Sequence, residues 1–344
     1  MPEELTPRER KVLEAVVQAY IETAEPAGSR TIAKRFPLGV SAATIRNTMS
    51  DLEERGYLSH PHTSAGRVPT DQAYRAYVDS LMWRPSVSAA DRDHLERALS
   101  GDAGVIEGIL RKAAQVLGVL THELGVAVAP SFDRAVLERL ELVQVSSERL
   151  LMILVVRGRL ARTLFVQVAT QLPPEAVAGV SLVLNERLSG LTLREIRATL
   201  RDRLRDSGGR VRGESELLNI FIEEADQLFD LPTDDQSVVL GSAQMLAEQP
   251  EFHSNEQMRT LLELTERRDL LRESLRQRSH GGLTVTIGNE HDDPRLAAFT
   301  IVTASYRLGS LAGVIGVMGP TRMPYDKVLA LVEHTSRMVE ELIT

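Results

Sequence analysis

Cysteine is absent from all 344 residues, which excludes disulfides, thiolate metal sites and cysteine nucleophiles. Aromatic residues are scarce, at 4%, so the cores must be built mostly from Leu, Val, Ile and Ala. Long apolar runs are missing as well. The most apolar stretch, Leu150–Val156, is far too short to cross a bilayer and reads as a buried strand. The N-terminus, MPEELTPRERKVLEAVV, has neither the basic start nor the apolar run of a signal peptide. No P-loop, G-x-S-x-G, H-E-x-x-H or G-x-G-x-x-G pattern occurs. Gly313, Gly316 and Gly319 lie within a strand pattern and do not fit a phosphate loop. The expectation is a cytoplasmic protein that is not an enzyme, with no cofactor, no metal and no membrane partner.

What is present is ordinary for a globular chain: 43% apolar and 26% charged residues. The length exceeds one ordinary core, so two or three domains are expected. The net charge of −8 argues at first against nucleic acid. Its distribution argues otherwise, because Gly28 to Arg67 carries six basic and three acidic residues, a local +3.

That basic stretch has a distinct order of signals. Thr6, Pro7 and Glu9 make a capping-box start for a first helix with Val12, Leu13, Val16, Val17 and Tyr20 on one face. After a loop containing Pro26 and Gly28, Ser29 is the expected cap of a second helix. Its Arg30, Lys34 and Arg35 stay outside, within reach of phosphates. Ser41 caps a third helix whose Ala42, Ile45, Met49 and Leu52 form the inward stripe. Ala43, Arg46, Asn47, Ser50 and Glu54 fall on the opposite face, flanked by Thr44 and Asp51. The exposed face is small, polar and basic up to Ser50 and acidic beyond it, so the first half should enter a DNA groove. Arg46 suits guanine and Asn47 adenine. A hairpin follows, with Ser64, Gly66 and Arg67 at its tip. Gly66 permits an unusual backbone angle, and Arg67 can reach phosphate or the minor groove. Helix, turn, helix and hairpin make a winged helix-turn-helix. The pair His60 and His62 lacks an evident third ligand for a metal.

Thr70 caps a helix that leaves this module, and Arg84–Ala89 marks a boundary. Two helices follow, up to Glu123. The pattern then turns to strands at Val126–Ala129, Ala135–Gln144, Arg149–Val156 and Leu160–Gln167. Pro173–Pro174 is a second boundary before the helical segments Val177–Leu188, Leu193–Asp206 and Ser215–Phe229. Val238–Leu240 is a short candidate strand, and Asn255–Gln277 reads as one long amphipathic helix. The end alternates again at Leu283–Ile287, Phe299–Tyr306 and Ala312–Met318, before a closing helix over Tyr325–Ile343. Strands before residue 170 and after 280 are expected to share one sheet, with the helices between as an insertion.

Three blocks carry a family likeness: LTPRERKVLEAVVQAYI (5–21), SAATIRNTMSDLEERGYLSHPHTSAGRVPTDQAYRAYVD (41–79) and LAGVIGVMGPTRMPYDKVLALVEHTS (311–336). On these the chain resembles the heat-inducible transcription repressor family, HrcA. The third block holds the hallmark Gly319–Pro320, Thr321–Arg322–Met323 and Tyr325. The resemblance implies an α+β multidomain fold: a winged helix (1–84), a GAF-like α/β domain in two parts (88–172 and 251–344) and an inserted dimerisation domain (173–250). It implies a homodimer on an inverted-repeat operator, the CIRCE element, upstream of chaperone operons. It also implies that the GroEL chaperonin helps keep the repressor active.

Three other readings stay open on the residues alone. A metabolite-responsive repressor could use Gly288–Glu290, Tyr306 and Arg322–Tyr325 to edge a pocket, although these residues also suit turns. An enzyme with a DNA-binding appendix could use His291–Asp292–Asp293 for a metal, although a polar turn before Pro294 accounts for them. A chaperone-like protein without operator specificity would lack a large preference over random DNA.

Overall fold

The computed structural model describes residues 4–61, 66–82, 86–100, 106–130, 135–157, 160–168, 172–205, 213–223, 238–276, 278, 281–309 and 311–343. The chain divides into two compact units. One comprises Met1–Ala127, Val239–Ser305 and Val314–Val339; the other comprises Val128–Val238, Tyr306–Gly313 and Glu340–Thr344.

The first unit opens with α1 (Pro7–Thr23), α2 (Ser29–Arg35) and α3 (Ala42–Glu54). The capping box forms as its spacing requires: Thr6 Oγ1 accepts from the Glu9 amide and the Glu9 carboxylate from the Thr6 amide. Val12, Leu13, Val16 and Val17 of α1 are buried with Ile32 of α2 and Ile45, Met49 and Leu52 of α3. Burial of each such side chain stabilises the domain by about 1.5–3 kcal/mol relative to exposure. A wing follows, from β1 (Leu58–Ser59) and β2 (Val68–Pro69), paired antiparallel. Then come α4 (Asp71–Ala76) and a π-helical turn over Tyr77–Leu81.

Beyond α5 (Ala89–Leu99) and α6 (Ile106–Thr121) lies a five-stranded sheet in the order β7-β3-β10-β9-β8. Its strands are β3 (Leu124–Val128), β7 (Val238–Leu240), β8 (Leu283–Ile287), β9 (Phe299–Leu308) and β10 (Leu311–Pro320). The near-continuous burial of β3, β9 and β10 marks them as strands covered on both faces. Gly125 is needed for one of these coverings, since a Cβ there would lie 1.7 Å from the Ala114 carbonyl oxygen of α6. The closing helix spans Tyr325–Ile343, and Ser336 on it donates to the Ser305 carbonyl at 2.8 Å.

The second unit is built on β4 (Leu137–Ser146), β5 (Arg149–Val156) and β6 (Leu160–Gln167), an antiparallel sheet whose strands, among the described residues, pair with one another. Leu140, Leu150, Met152, Leu154 and Val166 on one face are buried in a single cluster with α7 (Pro174–Leu188), α8 (Leu193–Leu204) and α9 (Glu214–Glu223). The expectation of one sheet shared by all strands therefore holds for β3 and not for β4–β6. Instead of joining the larger sheet, β4–β6 bury their apolar face under α7 to α9. The line drawn at Pro173 falls inside this unit. The expected long helix over 255–277 is instead two helices, Asn255–Glu266 and Arg268–Arg276, separated at Arg267, whose ψ of 71° is not helical.

Candidate nucleic-acid interface

The third helix presents the face that its sequence pattern requires. Ser41 is its N-cap, and its Oγ accepts from the Thr44 amide at 3.1 Å. This leaves Thr44 half-buried and pinned at the first turn, with its hydroxyl 3.0 Å from Ser41 Oγ. Ala43, Arg46 and Asn47 are exposed, and Ser50 is partly exposed at the same side. Thr48 instead turns inward and donates to the Thr44 carbonyl at 3.1 Å. Arg30 and Lys34 on α2 are exposed, and among the described residues neither they nor Arg46 enter an ion pair. Arg35 pairs with Glu22.

Ser29 does not cap α2. Gly28 occupies that position, with extended backbone and no side-chain cap, and Ser29 is the first helical residue, partly buried. The shift follows from a pairing that one sequence cannot display: Ala27 bonds in both directions with Arg67, at 2.8 and 3.0 Å, as a third strand-like element of the wing. That pairing also explains Gly66. Its backbone is not among the positive-φ positions; a Cβ there would lie 2.5 Å from the Ala27 backbone, so close approach is what demands glycine.

Arg67 is the largest departure from expectation. Its side chain is 17% exposed, and its guanidinium lies 2.7 Å from Glu53 on α3 and 3.0 Å from His60 Nδ1 on the wing. It braces the third helix against the hairpin rather than projecting from a tip. Ser64 and His62 lie outside the described residues. Glu9, at the start of α1, accepts from Arg55 at 2.9 Å and so ties the supporting helix to the far end of α3. Burial alone would raise the Glu9 carboxyl, but bonds from Thr6 and Arg55 hold it below its ordinary value. Thr70 Oγ1 donates to the Gly56 and Tyr57 carbonyls at 2.7 and 3.0 Å, fastening the wing to α4. The result is a rigid polar and basic helix face, framed by a braced wing, of the kind that reads base edges in a major groove.

Two family models match the chain. One, described as winged helix-turn-helix transcription repressor, HrcA DNA-binding, covers residues 4–80. The other, HrcA protein C terminal domain, covers residues 107–329. The chain belongs to the HrcA family. Among the family's curated members, the heat-inducible transcription repressor HrcA of Chlorobium phaeobacteroides strain BS1 is 38% identical, with 96% of each chain covered. That of Chlorobaculum tepidum is 36% identical, covering 99% of this chain and 98% of its own. A solved structure described as a hypothetical protein has 26% identity and a TM-score of 0.68, with 99% of both chains covered. As a member of this family, the protein is a heat-inducible transcription repressor with a winged-helix DNA-binding domain, and not an enzyme. Among the described residues, no helix is long and apolar enough to cross a membrane.

The HrcA hallmark block, and the residues before it that could have edged a pocket or held a metal, are engaged in packing and hydrogen bonds. Tyr306 is fully buried and donates to the Val128 carbonyl at 3.0 Å. The Tyr325 hydroxyl donates to the Thr321 carbonyl at 2.6 Å, and Arg322 pairs with Glu251. Asp293 accepts from the Arg295 amide at 3.0 Å, as a residue of a polar turn does.

Proposed function

We propose that the protein is a cytoplasmic homodimer that represses chaperone operons by binding the inverted-repeat CIRCE operator, with the GroEL chaperonin helping to keep it active. Under heat, unfolded proteins would occupy the chaperonin, active repressor would fall and the operons would be expressed. The observation that carries the operator reading is the exposed face of α3. It ends in acids at Asp51 and Glu54, so only its N-terminal half suits a phosphate-lined groove. Arg46 and Asn47 take the base edges; Ser41, Ala43, Thr44 and Ser50 line the approach; Arg30 and Lys34 hold phosphates.

The dimer has its own support. On the open face of the β4–β6 sheet, Val143, Leu151 and Phe165 stand opposite one another across the three strands. Phe165 is 63% exposed, Val145 57% and Val143 46%. An apolar row of this kind is suited to being covered by its own copy about a two-fold axis. Two winged helices on such an axis match the two halves of an inverted repeat.

The test is binding to an inverted-repeat duplex and to a scrambled duplex of equal length at fixed salt, with and without GroEL. Strong preference for the repeat, strengthened by the chaperonin, is the expected result. Equal weak binding to both duplexes, unaltered by the chaperonin, refutes the proposal.

A further inference from the structure

The winged helix is fastened to the sheet of its own unit at two separate points, both through arginine. At the first, Arg75 of α4 is held by Glu290, which follows β8. Its Nε and Nη2 donate to the two carboxylate oxygens at 2.7 and 2.5 Å, a bidentate pair, and Nη2 also donates to the Val285 carbonyl at 2.7 Å. Beside it, Asp71 accepts from the amide and the side chain of Asn289 at 3.0 and 2.8 Å. Gly288 leaves room for this carboxylate, since a Cβ there would lie 2.3 Å from Asp71 Oδ2.

At the second point the direction is reversed. Arg322, just beyond β10, donates through Nη1 to the Ile21 carbonyl at 2.8 Å. Ile21 lies in the last turn of α1, where carbonyls lack helical partners and a cation is favoured. The sheet thus caps the helix that supports α3. The same guanidinium is fixed by Glu251 at 2.5 and 3.0 Å and by the side-chain amide oxygen Oε1 of Gln249 at 3.0 Å. Between the two points, the Tyr74 ring of α4 packs on Tyr325, with centroids 5.8 Å apart.

A single hinge-like contact would let the reading helix swing. Two contacts on different helices, α1 and α4, fix its angle. We infer that Arg75 and Arg322 are positioning residues that set the orientation of α3, and thereby the half-site spacing the repressor accepts. This rests on the operator reading above. Neither residue needs to touch DNA for the effect to appear.

The test uses the full chain and two readouts. The first is binding to inverted repeats whose spacer is shortened or lengthened by about five base pairs, half a helical turn. Wild type is expected to favour one spacing by at least about tenfold, which is about 1.4 kcal/mol. Arg75→Gln combined with Arg322→Gln is expected to reduce that preference to about threefold or less. Single half-site binding should be retained. The second readout needs no DNA. Because the chain has no cysteine, Glu54→Cys on α3 and Glu333→Cys on the closing helix give one label pair per chain, read in dimers diluted with unlabelled protein. A narrow distance distribution should broaden when the two arginines are replaced. Arg75→Gln alone, at a more exposed site, serves where the double variant does not fold. A spacing preference or a distance distribution unchanged by the substitutions overturns the inference. A wild type indifferent to the repeat sinks the operator reading instead, and the distance measurement still decides the clamp.

Discussion

Arg67→Ala separates a brace from a phosphate contact. The guanidinium lies 2.7 Å from Glu53, with the two side chains 17% and 29% exposed. A fully exposed pair contributes at most about 1 kcal/mol, and breaking a fully buried one costs about 3–5 kcal/mol. This pair lies between, so its loss should destabilise the winged domain by about 1–2 kcal/mol. The loss also frees the Glu53 carboxylate on α3, so operator affinity should fall by repulsion. The assay is titration of operator duplex across a salt series. A phosphate contact contributes about 0.9 to the slope of log affinity against log salt, or about 1.8 for a dimer. With Arg67 committed to Glu53, the slope should fall by much less than about 1.8, through the freed carboxylate alone, and Glu53→Gln in the Arg67→Ala background should restore both the slope and much of the affinity. Arg30→Ala should lower the slope in the same series. A slope lowered by about 1.8 for Arg67→Ala, with no recovery from Glu53→Gln, refutes the reasoning.

Three further outcomes are expected. Arg46→Ala should lose about 1–3 kcal/mol of discrimination at one base pair in each half-site, read by binding to a panel of operator variants; equal discrimination at every position would remove Arg46 from the base-reading face. Phe165→Asp should shift sedimentation from dimer toward monomer and weaken operator binding while leaving the α7–α9 cluster folded, and an unchanged dimer would place the two-fold contact elsewhere. Glu9 should give the winged domain an acid-side dependence: its folded pKa lies below the unfolded one, so its contribution is present above the unfolded value, about 4.3, and is lost as pH falls through the folded value. Glu9→Gln should flatten unfolding free energy against pH in that window, and an identical acid slope in wild type and variant would rule out this linkage.

What the sequence makes legible is what is encoded locally. The caps at Thr6, Ser41 and Thr70 act over three residues, and each was readable from its spacing. The inward stripe Ile45, Met49 and Leu52 follows from helical periodicity alone. Ser29, Gly66 and Arg67 differ from their sequence reading because their roles come from one pairing, Ala27 with Arg67, across 40 residues. Sheet membership failed for the same kind of reason. An alternating apolar strand states that one face is buried but not against what, so β4–β6 could not be distinguished in advance from partners of β3. The break at Arg267 also left no mark, since Thr265–Asp269 contains neither glycine nor proline.

The block Gly319 to Tyr325 shows how a motif can be visible while its work is not. Gly319 packs on Glu123, where a Cβ would lie 2.0 Å from Oε2, and burial pushes that carboxyl well above its ordinary value. Gln249 donates to Glu123 Oε1 at 3.4 Å and accepts from Arg322 at 3.0 Å. Arg322 in turn reaches the end of α1. The block therefore joins the centre of the sheet to the DNA-reading domain through one continuous set of polar contacts. Its partners lie some 70 to 300 residues away in the chain, beyond any local pattern. The residues that could have edged a metabolite pocket, Glu290 and Arg322, are the ones that hold the winged helix. A change in the sheet that moved either would move the reading helix directly, so regulation through this unit needs no separate messenger between sheet and DNA.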